Sequence, residues 1–95
     1  MIRAFVLYEG DVDPERYQRH IEETVRPIPA TFRHGKVFGA AVGEPRYRYY
    51  AEFEFPDMDS FDEQIGSPQF GAAAKDAAEM GIPFTVHFAK VADLE

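Results

Sequence analysis

The sequence predicts an α+β domain of the ferredoxin-like kind, a βαββαβ chain whose four-stranded antiparallel sheet carries two helices on one face. Three observations predict it. Four segments are suited to strands, two helical segments with capping residues fall between the first and second and between the third and fourth of these, and 95 residues make one domain. The domain is expected to span residues 1–95.

Ile2 to Tyr8 is a run of β-branched, aromatic and aliphatic residues that Glu9-Gly10-Asp11 punctuates, which gives a short buried strand. Asp13-Pro14-Glu15 opens a helix: Asp13 can cap free N–H groups, and Pro14 loses nothing at the first helical position. Tyr17, His20, Ile21, Thr24, Val25 and Ile28 then draw one apolar stripe, until Pro27 and Pro29 stop it. Phe32 to Val42, with glycines at 35 and 39, reads as a second strand with bulges.

After a turn at Gly43-Glu44-Pro45, Arg46 to Phe55 alternates more clearly than any other segment. Tyr47, Tyr49, Ala51, Phe53 and Phe55 fall on one face, and Arg48, Tyr50, Glu52 and Glu54 on the other. Asp57 to Ser60 offers capping oxygens for a short helix that stops at Gly66. Ser67-Pro68 restarts a helix lined by Phe70, Ala73, Ala74, Ala77 and Met80, with Gly81 as its left-handed cap. Phe84 to Val91 is the last alternating strand, with Thr85, His87 and Ala89 opposite Phe84, Val86 and Phe88.

Composition bounds the function. Ten basic and 17 acidic residues leave a net charge of −7, which repels a phosphate backbone, so nucleic acid is not an expected partner. Without cysteine there is no thiolate chemistry, as suits a reducing cytoplasm. The opening apolar run is too short for a signal segment, and no stretch approaches the roughly 18 apolar residues of a membrane span. A cytoplasmic protein without membrane contact is expected. Folding at this size buries only roughly 60–65% of the chain's surface, so a partner subunit would help. The sheet face without helices, expected to carry Arg48, Tyr50, Glu52, Glu54, Thr85 and His87, suits a second subunit's sheet, and the pair would enclose a pocket.

On that face His87 is the first choice for moving protons, with Tyr50 as a hydrogen-bond donor to a developing oxyanion. Glu52 and Glu54, about 6–7 Å apart, could hold His87 in one tautomer or orient a substrate. The plainer readings are a hydrogen-bonded interface histidine, a core tyrosine and a structural Arg–Glu ladder in which Arg48 neutralises the carboxylates. Expected substrate contacts are His20 and Tyr17 on the first helix, Arg48 and Phe5. A satisfied structural role competes for His20, and His34 and Arg33 read as a solvated strand end. No His pair has metal-motif spacing, and the glycines at 35, 39 and 43 form no nucleotide-binding motif, so neither metal nor cofactor is expected.

Three segments together resemble the EthD family, within the dimeric α/β-barrel proteins: Asp13 to His20 continuing through Thr24 and Pro27-Ile28; Ser67-Pro68-Gln69-Phe70-Gly71-Ala72-Ala73-Ala74-Lys75-Asp76; and the strand Ile2 to Tyr8. His20 matches a family histidine, but Val25 stands where a second one would be, so a proton-transfer role for that second position does not carry over. The resemblance implies a homodimer with a pocket between sheet and helices, and association with the oxidative breakdown of small apolar compounds such as tert-alkyl ethers. Relatives of the same barrel include cofactor-free monooxygenases, isomerases and cyclases. The leading expectation is therefore a cofactor-independent oxidoreductase or accessory factor, with a separate oxygenase system as the alternative source of electrons. Behind it stand a proton-transfer isomerase or cyclase and a non-catalytic dimer. An RNA-binding module has the same strand order, but Tyr47 and Arg48 break its aromatic motif.

Overall fold

The computed structural model describes residues 1–93. Strand β1 (Ile2–Tyr8) leads to helix α1 (Pro14–His20), then β2 (Thr31–Lys36), β3 (Tyr49–Phe55), α2 (Met58–Ile65), α3 (Pro68–Glu79) and β4 (Phe84–Lys90). The four strands pair in the order β2-β3-β1-β4, every pair antiparallel, which is the ferredoxin-like plan.

Alternation sorts the strands' side chains onto two faces. Ile2, Ala4, Val6 and Tyr8 share a face with their cross-strand partners Phe55, Phe53, Ala51 and Tyr49, and the helices cover it. The core sits there: Ile2, Ala4, Phe53 and Phe55 pack with Val25 and Ile28 from the segment after α1, Phe61 of α2 and Ala73 of α3. The small alanine of α3 lets that helix lie close to the sheet. Each helix is started as the capping residues require: Asp13 accepts from Arg16 N at 3.2 Å, Asp57 from Ser60 N at 2.8 Å, and Ser67 from Phe70 N at 3.1 Å. Gly81, at φ +77°, reverses the chain after α3 into Pro83.

Three boundaries differ from the sequence reading. The second strand ends at Lys36 and not at Val42, and the third begins at Tyr49 and not at Arg46. Val37 N still donates to Arg48 O, and Arg48 N to Tyr8 O, but beyond that pair Phe38 and Val42 stand 102% and 91% exposed. Apolar composition alone cannot hold a strand without a neighbour on its face. The first helix does not run uniformly to Ile28: Ile21–Val25 forms a π-helical turn, closed by Arg26 N donating to Ile21 O at 3.0 Å. Such a widened turn is a common feature next to functional groups.

Candidate functional site

Between the sheet and the helices α1 and α3 lies a cavity of about 50 Å³, walled mainly by Val6, Phe32, Phe53, Phe70 and Ala77, with Val86 at one side. The volume suits a few waters or the reactive end of a small ligand. Its polar groups come from Tyr8, Tyr17 and His20.

His20 is buried, at 4% exposure, where the end of α1 meets the π turn. Its Nδ1 stands 2.7 Å from Asp76 Oδ2 of α3. The Arg16 guanidinium, one turn earlier on α1, grips that carboxylate from Nη2 to Oδ1 at 2.7 Å and from Nη1 to Oδ2 at 3.1 Å. Arg16 first, and His20 after it, hold the Asp76 carboxyl below its usual range, so it stays ionised and can only accept. His20 Nδ1 therefore carries the hydrogen, and Nε2 is left without a partner among the described residues. Thr24 Oγ1 donates to the His20 carbonyl at 2.7 Å and lies 3.1 Å from Nδ1, which locks the ring further. A histidine with an oriented Nδ1–H, a free Nε2 and an apolar cavity beside it is equipped to accept a proton.

Aromatic rings wall the neighbouring end. Tyr17 meets Tyr8 edge to face at 5.9 Å, Tyr49 at 5.1 Å and the ring of His20 at 5.3 Å. Burial pushes the phenols of Tyr8 and Tyr17 above the ordinary range, so both keep their protons. Tyr17 Oη is sealed from solvent beside the Tyr8 phenol, which is close enough to bear on its ionisation. His34 Nδ1 lies 2.6 Å from Tyr49 Oη, and burial holds this histidine below its usual value, so the neutral ring accepts the phenol's hydrogen.

The expected site residues divide between the two faces of the sheet. His20 and Tyr17 line the cavity. Phe5, Glu52 and His87 lie in one row across the open face, with Phe5 paired to both of the others and so standing between them. Glu52 therefore does not hold His87 in a tautomer. Its carboxylate belongs to a ladder with Glu54, Arg3 and Arg33: Arg3 bonds Glu54, and Arg33 Nη1 lies 3.5 Å from Glu54 and 3.8 Å from Glu52. Arg48, expected to neutralise these carboxylates, instead stands in the β2–β3 turn with Glu44 at 3.8 Å. Tyr50 lies across from Gly35, so close that a Cβ there would come within 2.8 Å of its ring. Among the described residues no three side chains of metal-ligating type converge.

Sequence reasoning missed Asp76, Arg16, His34, Tyr49 and Tyr8 as members of the cavity constellation. The available signal for Asp76 was a single acid on the buried edge of an alanine-rich helix. For Tyr8 and Tyr49 it was a polar-tipped aromatic at the same end of two paired strands. Neither signal becomes specific until α1 and α3 are brought side by side.

No family model matches the chain, and no curated protein matches it. Solved structures do. The chain is 21% identical, with a TM-score of 0.76 over 97% of its length and 99% of the other's, to an ethyl tert-butyl ether degradation (EthD) family protein from Bacillus halodurans. It is 19% identical, with a TM-score of 0.71 over 95% of its length and 98% of the other's, to a dimeric ferredoxin-like protein of unknown function from Jannaschia. A putative antibiotic biosynthesis monooxygenase from Deinococcus radiodurans aligns over 100% of this chain and 96% of its own at 6% identity and a TM-score of 0.67. The EthD resemblance is thus present in three dimensions, and what is shared at these identities is the ferredoxin-like fold.

Proposed function

We propose that the protein is a homodimer that binds a small apolar organic compound in the cavity between sheet and helices and removes a proton from it through His20. The observation that carries this reading is the 2.7 Å bond from His20 Nδ1 to Asp76, which presents Nε2 as a base beside an apolar cavity. In the step, Nε2 takes the proton from an acidic C–H, and the electron pair left on carbon delocalises into the compound's adjoining unsaturated group. Reprotonation at another position gives isomerisation. Reaction of the carbanion with dioxygen, which is the oxidant, forms a C–O bond and a peroxide anion that takes back the proton from His20 to give a hydroperoxide. The likeness to a putative antibiotic biosynthesis monooxygenase supports this branch, and a separate oxygenase that consumes the product would make the protein an accessory factor in breakdown.

Dimerisation through the open face is supported by the apolar surface there: Phe5 and Leu7 lie uncovered by any helix. His87, Tyr50 and Glu52 then belong to the subunit interface. Only His20 and Tyr17 of the expected residues act on the compound, with Phe5 and Arg48 outside the cavity.

The test follows exchange of the α-protons of small ketones into deuterated water by proton NMR. The wild-type protein should accelerate exchange, and His20→Gln should lower the rate by roughly 10²-fold or more while the ketone still binds. Equal rates for the two proteins remove His20 as the base. Native mass spectrometry of the purified protein reads the subunit count and any retained compound in one spectrum.

A further inference from the structure

Among the described residues the exposed large apolar side chains fall into two groups. Phe38 and Val42 stand on the β2–β3 loop, whereas Met1, Met58, Val86, Phe88 and Val91 gather along β4 and the start of α2. In the second group Met58, Phe61 and Phe88 line an apolar groove with Ile2 on the helix side of the sheet, and Phe61 meets Phe88 edge to face at 4.9 Å. The groove borders β4, an edge strand whose outer side has no strand beside it.

We infer that the β2–β3 loop is an arm that docks Phe38 in this groove of a second copy of the chain, across the free edge of its β4. The inference rests on the homodimer reading above and names what the loop does there. The loop cannot reach its own groove. Val37 N donates to Arg48 O and Arg48 N to Tyr8 O, so the root of the loop is fixed at the Tyr8 end of β1, and Phe38 follows the fixed residue directly. The groove lies at the Ile2 end of β1, about 20 Å away along that strand, and at the opposite edge of the sheet.

Symmetry lets both contacts form at once. Loop and groove occupy diagonally opposite corners of the sheet. A two-fold axis between facing sheets, along the other diagonal, exchanges those corners, so each loop reaches the β4 edge that borders its partner's groove. The same axis puts the two open faces together with their strands crossing near a right angle, one of the two ways in which sheets pack. Charge agrees with the pairing. The loop and its root carry Lys36, Arg46 and Arg48 against Glu44, whereas Asp57, Asp59, Asp62 and Glu63 of the α2 segment have no base among them.

The chain has no cysteine, so introduced ones report without background. Ala40→Cys marks the loop and Lys90→Cys the rim of the groove, both at exposed positions. Equal amounts of the two variants, mixed and left to exchange subunits, are treated with a short bismaleimide. The mixture should give a cross-linked pair with one chain of each kind, identified by mass after digestion. Each variant alone should give none, because equivalent corners lie apart. Phe38→Ser changes a fully exposed residue, so it should keep the circular dichroism of the folded chain. Its dimer dissociation constant, read by sedimentation, should rise roughly 10- to 100-fold, since two phenyl rings leave the interface. A wild-type dimer that gives no mixed product, or one that Phe38→Ser leaves as tight as before, overturns the arm while the open-face dimer stands. Cross-linking of Ala40→Cys alone overturns it too, by setting loop against loop. A wild-type chain that sediments at the mass of one subunit removes both readings.

Discussion

Asp76 on α3 takes the imidazole of His20 and the guanidinium of Arg16 with one carboxylate, at 2.7 Å to each. The two partners are one turn apart on α1, so the carboxylate spans a face of that helix and fixes both its distance and its rotation relative to α3. The same contact that docks the helices also decides which imidazole nitrogen faces the cavity. Packing and chemistry are therefore coupled at this point, and a change at Asp76 should register in both.

Replacing Asp76 with Asn keeps the shape and removes the charge. Nδ1 of His20 loses its anionic acceptor, and the Arg16 guanidinium meets a neutral amide. We expect α-proton exchange of ketones to fall by at least about tenfold, with affinity for the same ketones within about twofold, because the change acts on the base and not on the apolar wall. Exchange that falls only in proportion to lost binding would make Asp76 a packing residue alone.

The same residue sets an acid limb of stability. Its carboxyl titrates below the ordinary range in the native state because of Arg16 and His20, and near the ordinary value when unfolded. As pH falls, the unfolded chain takes up its proton first, so the stabilisation is complete above the ordinary carboxylate range and is lost as pH falls through it to the lower native midpoint. The contribution is modest, about 1 kcal/mol, since the group is partly solvated. Urea midpoints measured across this range should fall less steeply in Asp76→Asn than in the wild type. Glu54 and Asp57 are held low in the same direction, by Arg3 and by the Ser60 amide respectively, so it is the difference between the two proteins that isolates Asp76.

His34 offers a check on the aromatic end. Burial disfavours its charged form, and Tyr49 donates to the neutral ring, so NMR titration should give a midpoint below the usual 6.5. The matching stability is present above pH 6.5 and declines as pH falls through the native midpoint, because the unfolded chain protonates first. A midpoint at or above 6.5 would show that the ring is solvated and free of Tyr49.

Local pattern made the sheet legible: Ile2 to Tyr8 forms the strand its apolar run requires, and the alternation from Tyr49 to Phe55 places each of its side chains on the correct face. So did the capping residues Asp13, Asp57 and Ser67, whose bonds reach only three residues ahead. The ends of the β2–β3 connection were not legible, because Phe38 and Val42 look like strand residues and only the absence of a packing partner excludes them. The site was half legible for a related reason. His20 and Tyr17 stood on one helical stripe, but Asp76 is 56 residues from His20, and no spacing rule links them. His87 and Glu52 share a face as expected, yet Phe5 between them separates two groups that alternation alone would have paired.

Gly35 should not accept alanine, although its backbone imposes no positive φ. An added Cβ would meet Tyr50 Cε1 at 2.8 Å, which forces the phenol ring off the sheet. We expect a loss of about 1 kcal/mol for Gly35→Ala and a much smaller loss in a Tyr50→Ser background, measured by urea denaturation as a double-mutant cycle. Equal losses in the two backgrounds would place the cost in the backbone.

Phe5 lies at the middle of the open face, with Glu52 on one side and His87 on the other. In an isolated subunit a glutamate here would be wet, and its repulsion from Glu52 weak and screened by Arg3. In a dimer built on this face the same carboxylate would be taken out of water beside another carboxylate, a cost that association cannot offset. Phe5→Glu should therefore sediment at the mass of one subunit while keeping the circular dichroism of the folded chain and its affinity for cavity ligands. A variant that still sediments as a dimer would move the interface off this face, and with it the interface role of Tyr50, Glu52 and His87.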